Sequence, residues 1–109
     1  MNSISNIKKN VLNALEDIKA FDIVSIDIRK QASIADYIII ASANSSRQAK
    51  ALADNIKDRM QKINIPLIGI EGDSGSEWVL VDLGDIIIHI MTPTSRMHFN
   101  LEELWVSDN

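Results

Sequence analysis

Apolar residues recur at Ile4, Ile7, Val11, Leu12, Leu15 and Ile18, with Lys8, Lys9, Asn10, Glu16, Asp17 and Lys19 between them. Steps of three and four predict an amphipathic helix with a single core stripe. The period then shortens. From Phe21 to Arg29, the residues Ile23, Val24, Ile26 and Ile28 mix with Asp22, Ser25, Asp27 and Arg29, which is the pattern of a half-exposed strand near a sheet edge. After a polar turn from Lys30 to Ala35, the run Asp36 to Ala41 reads as a strand buried on both faces and as the best candidate for a central strand. Ser45 followed by Gln48 forms a capping box: the hydroxyl accepts from the third helical amide, and the glutamine side chain answers the amide of the cap itself. The helix it opens carries Ala49, Leu52, Ala53, Ile56, Met60 and Ile63 on one stripe. It stops at Asn64, a residue that tolerates the left-handed conformation, with Pro66 just beyond.

Pro66 to Ile70 reads as a short strand with proline at its first position and a bulge at Gly69. Glu71 to Ser76 is a loop. Val79, Leu80 and Val81 then precede the tight turn Asp82-Leu83-Gly84-Asp85, and Ile86, Ile87, Ile88 and Ile90 follow it, so two β-prone runs form a hairpin with Gly84 at a position suited to positive φ. Alternation puts Trp78, Leu80 and Asp82 on one face of that hairpin and Val79 and Val81 on the other. Thr92-Pro93-Thr94-Ser95 ends the sheet and caps a last short helix through Arg96, Met97, Phe99, Leu101, Leu104 and Trp105, and residues 106–109 form a loose tail. The order α-β-β-α-β-β-β-α predicts an α+β fold. It has a five-stranded mixed sheet with helices mainly on one face and a parallel crossover through the helix between Ile40 and Leu67. Strands this apolar are dressed for burial on two faces, so part of the second face is expected to meet a partner or a second copy of the chain.

At 109 residues the chain is expected to form one domain, 1–109, with room for one hydrophobic core. It has no cysteine, which removes disulfides, thiolate metal sites and a cysteine nucleophile from consideration. With no apolar leader and no membrane-length apolar run, the expected address is the cytoplasm and no membrane partner is expected. Charge is unevenly spread. From Met1 to Ile63, 10 Lys/Arg face 7 Asp/Glu, a balance of +3, whereas from Asn64 to Asn109 Arg96 alone faces 8 acids, a balance of −7. Such a half either steers a basic protein or merely keeps apolar strands soluble, and it speaks against direct, sequence-specific nucleic-acid binding.

Candidate chemistry is sparse. His89, between Ile88 and Ile90, fits a hydrogen-bonded sheet histidine better than a catalytic base, and it shares no metal-ligand spacing with His98. Asp82 and Asp85 bracket a turn, where aspartate is favoured for backbone reasons, although a pair of carboxylates could hold a metal for nucleotidyl transfer. No catalytic residue, metal site or cofactor is assigned. Trp78 is read either as a core tryptophan or as the anchor of an interface with a charged rim. On the second reading Trp78, Val79, Leu80, Asp82 and Glu77 are the candidate partner-binding residues.

Several of these runs, taken in order, closely resemble the ribosomal silencing factor family, also called the Iojap family: Asp36-Tyr37-Ile38-Ile39-Ile40-Ala41, Asn44-Ser45-Ser46-Arg47-Gln48 with Ala53-Asp54, Glu71-Gly72, Trp78 to Asp85, Ile88-His89, Arg96 and Leu101 to Trp105. The resemblance runs from about Phe21 to Trp105. It implies a fold similar to nucleotidyltransferases without their activity, since Ala43-Asn44-Ser45 stands where their Gly-Ser would be. It also implies binding to large-subunit ribosomal protein fourteen at the intersubunit face, which blocks subunit joining and represses translation when nutrients run short. Asp36, Tyr37, Ser45, Ser46, Arg47, Asp85, His89 and Arg96 belong to the resemblance without an assigned role. A metal-dependent nucleotidyltransferase and a homodimeric scaffold are the alternatives.

Overall fold

A computed structural model describes residues 3–72 and 75–104. The elements run α1 (Ile4–Asp17), β1 (Phe21–Asp27), β2 (Tyr37–Ser42), α2 (Ser46–Lys62), β3 (Gly69–Glu71), β4 (Trp78–Asp82), β5 (Ile86–Met91), α3 (Pro93–Phe99) and α4 (Leu101–Leu104). The strands form one mixed sheet in the order β1-β2-β5-β4-β3, antiparallel except for the β2–β5 pair. The α+β architecture and the edge position of β1 match the expectation from periodicity. β2 is a central strand as expected, flanked by β1 and β5, and the crossover through α2 returns the hairpin to its inner side, which puts β5 in the middle of the five.

Local chemistry sets the helix ends. Ser3 caps α1 by accepting from the Asn6 amide. Ser45 caps α2 by accepting from Gln48 N–H at 3.1 Å. The glutamine does not answer the cap amide as expected: its Oε1 accepts from Asn44 N–H, one residue earlier, and its Nε2 donates to the Ile18 carbonyl at 2.8 Å, so the cap also ties α2 to the end of α1. Asn64 closes α2 at φ 60°, in the left-handed region.

The buried stripe of α2, Ala49, Leu52, Ala53, Ile56 and Met60, packs with Val11, Ala14 and Leu15 of α1 against the face of the sheet formed by Ile39, Ala41, Val79, Val81, Ile86, Ile88 and Ile90. This is the main core. Each fully buried leucine or isoleucine in it is worth about 1.5 to 3 kcal/mol of apolar burial. A smaller cluster lies on the other face, where Ile28, Ala35, Ile38, Ile40 and Met91 are joined by Ile26, Ala32, Trp78, Ile87 and Leu101. The chain therefore covers part of its own second face, with the segment after β1 and with α3 and α4.

The differences from the sequence reading have both non-local and local causes. β3 spans Gly69–Glu71 rather than Pro66 to Ile70, because its extent is fixed by pairing Gly69, Ile70 and Glu71 with Asp82, Val81 and Leu80. Its register is regular at Gly69. The sheet's irregularity falls instead in β1, between Phe21 and Val24, where Asp22 takes φ 49°. β1 ends at Asp27, short of Arg29, whose guanidinium and amide turn back onto the Asp27 carboxylate. β2 begins at Tyr37 and extends through Ser42. The last helix is broken in two at Asn100, which adopts φ 45°. Trp105 and the tail 106–109 lie outside the described residues.

Candidate functional site

The hairpin β4–β5 places Trp78, Leu80 and Asp82 beside Ile87, His89 and Met91 on the second face, in a register that pairs Trp78 with Met91, Leu80 with His89 and Asp82 with Ile87. Its turn is built by Asp82, whose Oδ1 accepts from Gly84 N–H at 2.8 Å, and by Gly84 at φ 88°. Gly72 fixes the approach to β4: at φ 105° a side chain is strained, and a Cβ would stand 3.0 Å from the Trp78 carbonyl oxygen.

Trp78 is half-buried. Its indole N–H donates to His89 Nδ1 at 3.0 Å, and its ring lies 4.7 Å from that of Phe99, tilted by 47°. Accepting through Nδ1 makes His89 the neutral tautomer with the proton on Nε2. Burial pushes its pKa down from 6.5 to about 4. Because the folded value lies below the unfolded one, the stability this residue allows is complete above pH 6.5 and is lost as pH falls from 6.5 toward 4. Between pH 7.5 and pH 5 the wild type is therefore expected to lose about 2 kcal/mol more than His89→Gln, which has no such titration. Parallel urea titrations of the two proteins check this, and equal losses would mean that His89 does not titrate as described.

Arg96 is the most heavily bonded side chain of the second face. From α3 it donates to the Glu102 carboxylate at 2.8 Å, to the Ser42 hydroxyl at 2.8 Å and to the carbonyl of Asp22 in the bulge of β1. It thereby fastens α3 and α4 to two strands. Thr92 fixes the other end of α3. Its hydroxyl accepts from Ser95 N–H and donates to Glu77 Oε1 at 3.0 Å, and its own N–H donates to the Glu77 carbonyl.

With α3 and α4 docked at the Trp78 end, Leu80, Asp82 and Ile87 stay partly accessible, flanked by exposed Glu71 of β3 on the same face. This is an apolar strip with acidic borders. Val79, included among the candidate partner-binding residues, is fully buried in the main core and is removed from that set, because alternation turns it toward the helices. Exposed apolar side chains continue the surface onto the terminal helices, with Met97 83%, Leu104 68% and Phe99 50% exposed.

The remaining residues of the resemblance divide by position. Asp36 and Tyr37 donate their amides to the Asp85 carbonyl and close the end of the sheet, while the Tyr37 ring has Lys8 Nζ 4.5 Å and the Arg29 guanidinium 5.4 Å from its centroid. Ser45 is the cap of α2, Ser46 is its first residue, and Arg47 is exposed in its first turn. Among the described residues no group of three or more His, Asp and Glu side chains converges as a metal site, and Asp82 is committed to its turn while Asp85 is exposed. No described helix is long and apolar enough to cross a membrane.

The Trp78–His89 bond could have been found in the sequence, since the hairpin register sets the two residues diagonally on one face. The Arg96 staple left two signals, neither of which shows its partners: it belongs to the family resemblance, and it is the one Lys or Arg among the eight acids after Ile63.

The family model described as "Ribosomal silencing factor during starvation" matches residues 1–109. The chain is 40% identical over 102 residues to ribosomal silencing factor RsfS of Chromobacterium violaceum, covering 94% of this chain and 84% of that protein. A crystal structure of a protein from Chromobacterium violaceum is similar with a TM-score of 0.93 and 39% identity, covering 99% of this chain and 90% of that one. The mouse protein named mitochondrial assembly of ribosomal large subunit protein 1 is 30% identical over 98 residues, which is 87% of this chain and 43% of that longer protein.

Proposed function

This chain belongs to the ribosomal silencing factor family, and we propose that it docks on the large ribosomal subunit through large-subunit ribosomal protein fourteen, blocks joining of the small subunit by occupying the joining face, and so represses translation in the cytoplasm when nutrients are limiting. The observation that carries this reading is the acidic-bordered apolar strip of Leu80, Asp82 and Ile87, with Glu71 and Trp78 beside it. Its charge suits a basic protein, and its apolar centre supplies the contact area that charge alone does not. A steric block needs no reaction. A partner contact of about 800 Å² is the ordinary size for a stable complex, about an eighth of the 6400 Å² surface.

The direct test is to let purified small and large subunits reassociate on a sucrose gradient with and without the protein. Free subunits should accumulate in its presence, and undiminished joining at saturating protein would refute the proposal. Incubation with Mg²⁺ and labelled nucleotide covers the rival: turnover without co-sedimentation on large subunits would favour a nucleotidyltransferase.

Charge makes a separate prediction. Asp82→Asn keeps the acceptor that holds Gly84 N–H while removing the charge, and Glu71→Lys reverses an exposed acid on the same face. The double variant should associate with large subunits roughly tenfold more slowly at low salt, with a flatter salt response and an unchanged melting temperature. Stopped-flow association across a salt series measures this. Identical rates for the two proteins would leave the acids to solubility.

A further inference from the structure

A groove of about 430 Å³ separates the entry to β4 from α3, with Glu77, Trp78, Thr94, Ser95, His98 and Phe99 among its lining residues. Among the described residues no lysine or arginine lines it. Two of its walls are the aromatic rings of Trp78 and Phe99, 4.7 Å apart and tilted so that they do not stack flat on each other. The indole N–H is turned inward to His89, so Trp78 offers the groove its ring and no donor. Among the described residues the groove's formal negative charge is the Glu77 carboxylate. Its Oε1 is held by the hydroxyl of Thr92, itself buried at the cap of α3, and among the described residues its Oε2 has no partner.

We propose that this groove receives one cationic side chain of the basic partner protein, and that a guanidinium fits it best, with its plane against the Trp78 ring beside Phe99 and an N–H donated to Glu77 Oε2. The inference rests on the reading above, in which the partner is a basic protein docked on the adjoining strip. Arginine suits the chemistry on three counts. Its delocalised plane is attracted to aromatic faces, its hydrogen bond to a carboxylate is charge-assisted, and its methylene stem can lie along apolar walls. An ammonium has the charge without the plane. An aliphatic side chain would bury the Glu77 carboxylate without compensation, and an anion would be repelled by it. The bond from Thr92 holds the carboxylate in place beforehand, which lowers the entropy lost on binding.

The test uses Nα-acetylarginine amide, Nα-acetyllysine amide and Nα-acetylcitrulline amide as probes, followed by the indole N–H resonance in a Trp105→Phe background that leaves Trp78 as the chain's one tryptophan. The arginine probe should shift the Trp78 signal saturably, the lysine probe should bind several-fold more weakly, and the uncharged citrulline probe should give no saturable shift. Glu77→Gln keeps an oxygen for the Thr92 hydroxyl, so α3 stays capped, and it should abolish the response to arginine. The same variant should bind isolated large subunits roughly tenfold more weakly than wild type with an unchanged melting temperature. Equal shifts with arginine and citrulline, no shift with either, or wild-type subunit binding by Glu77→Gln would overturn the inference. If the arginine probe is captured as described but wild type does not bind large subunits, the proposed function fails and the groove's preference stands.

Discussion

Arg96→Met is expected to destabilise the protein by about 3 kcal/mol, lowering the melting temperature by roughly 10 to 20 °C. Methionine retains much of the apolar stem but none of the donors. The Ser42 hydroxyl, on a residue only 2% exposed, then loses its donor, as does the Asp22 carbonyl, and α4 loses its ion pair through Glu102. A buried polar group left without a partner costs about 1 to 3 kcal/mol, which applies to the Ser42 hydroxyl, while the exposed Asp22 carbonyl turns to water and the charge-assisted bonds are lost. Arg96→Lys should recover little, because one ammonium cannot reach three acceptors arranged around a planar fork. In urea denaturation the midpoint should fall for both variants with the slope unchanged. A midpoint within error of wild type for Arg96→Met would mean that α3 and α4 are held by apolar contact alone. Because Phe99 rides on α3, loosening this helix should also loosen the wall of the groove beside Trp78.

Trp78→Ala is expected to lower stability by about 2 to 4 kcal/mol and to weaken binding to the large subunit more than tenfold. From the sequence alone, an exposed tryptophan on an acidic hairpin is expected to act on binding far more than on the fold. The structure changes that expectation, because the ring packs on the second core cluster and against Phe99, and its N–H occupies the lone pair of His89. Trp78→Phe separates the two effects. It keeps an aromatic ring against Phe99 while leaving His89 Nδ1 without its donor, so most of the stability should return, with a deficit of about 1 to 2 kcal/mol. Binding by Trp78→Phe at wild-type strength would make the indole a packing element and leave the contact to Leu80, Ile87 and the acids. Binding as weak as that of Trp78→Ala, with the fold restored, would mark the indole as an anchor.

Most of the secondary structure was legible because its causes are local. The stripe of α2, its serine cap and its stop at Asn64 depend on residues within a few positions of one another, as do the hairpin turn at Gly84 and the alternation that divides Trp78 and Leu80 from Val79 and Val81. Rotamer sterics, caps and turn dihedrals act over that range, and one chain is enough to read them. The basic and acidic halves were legible for the same reason, since charge needs only counting.

Other features depended on segments far apart in the chain. β5 took the middle place because β2 pairs with it in parallel across the whole α2 crossover, and β3 was placed by the carbonyls and amides of β4 rather than by its own proline and glycine. Strand pairing joins groups that any of several registers could satisfy, and local composition does not choose among them. The covering of the second face was likewise hidden: Arg96 reaches Asp22, 74 positions earlier, and Ser42, 54 positions earlier. A lone arginine in an acidic segment reads as a surface charge until folding brings a bulged strand and a serine beneath it. Docking α3 on that staple sets Phe99 against Trp78, so the aromatic groove exists only after the sheet, the bulge and the last helices have met.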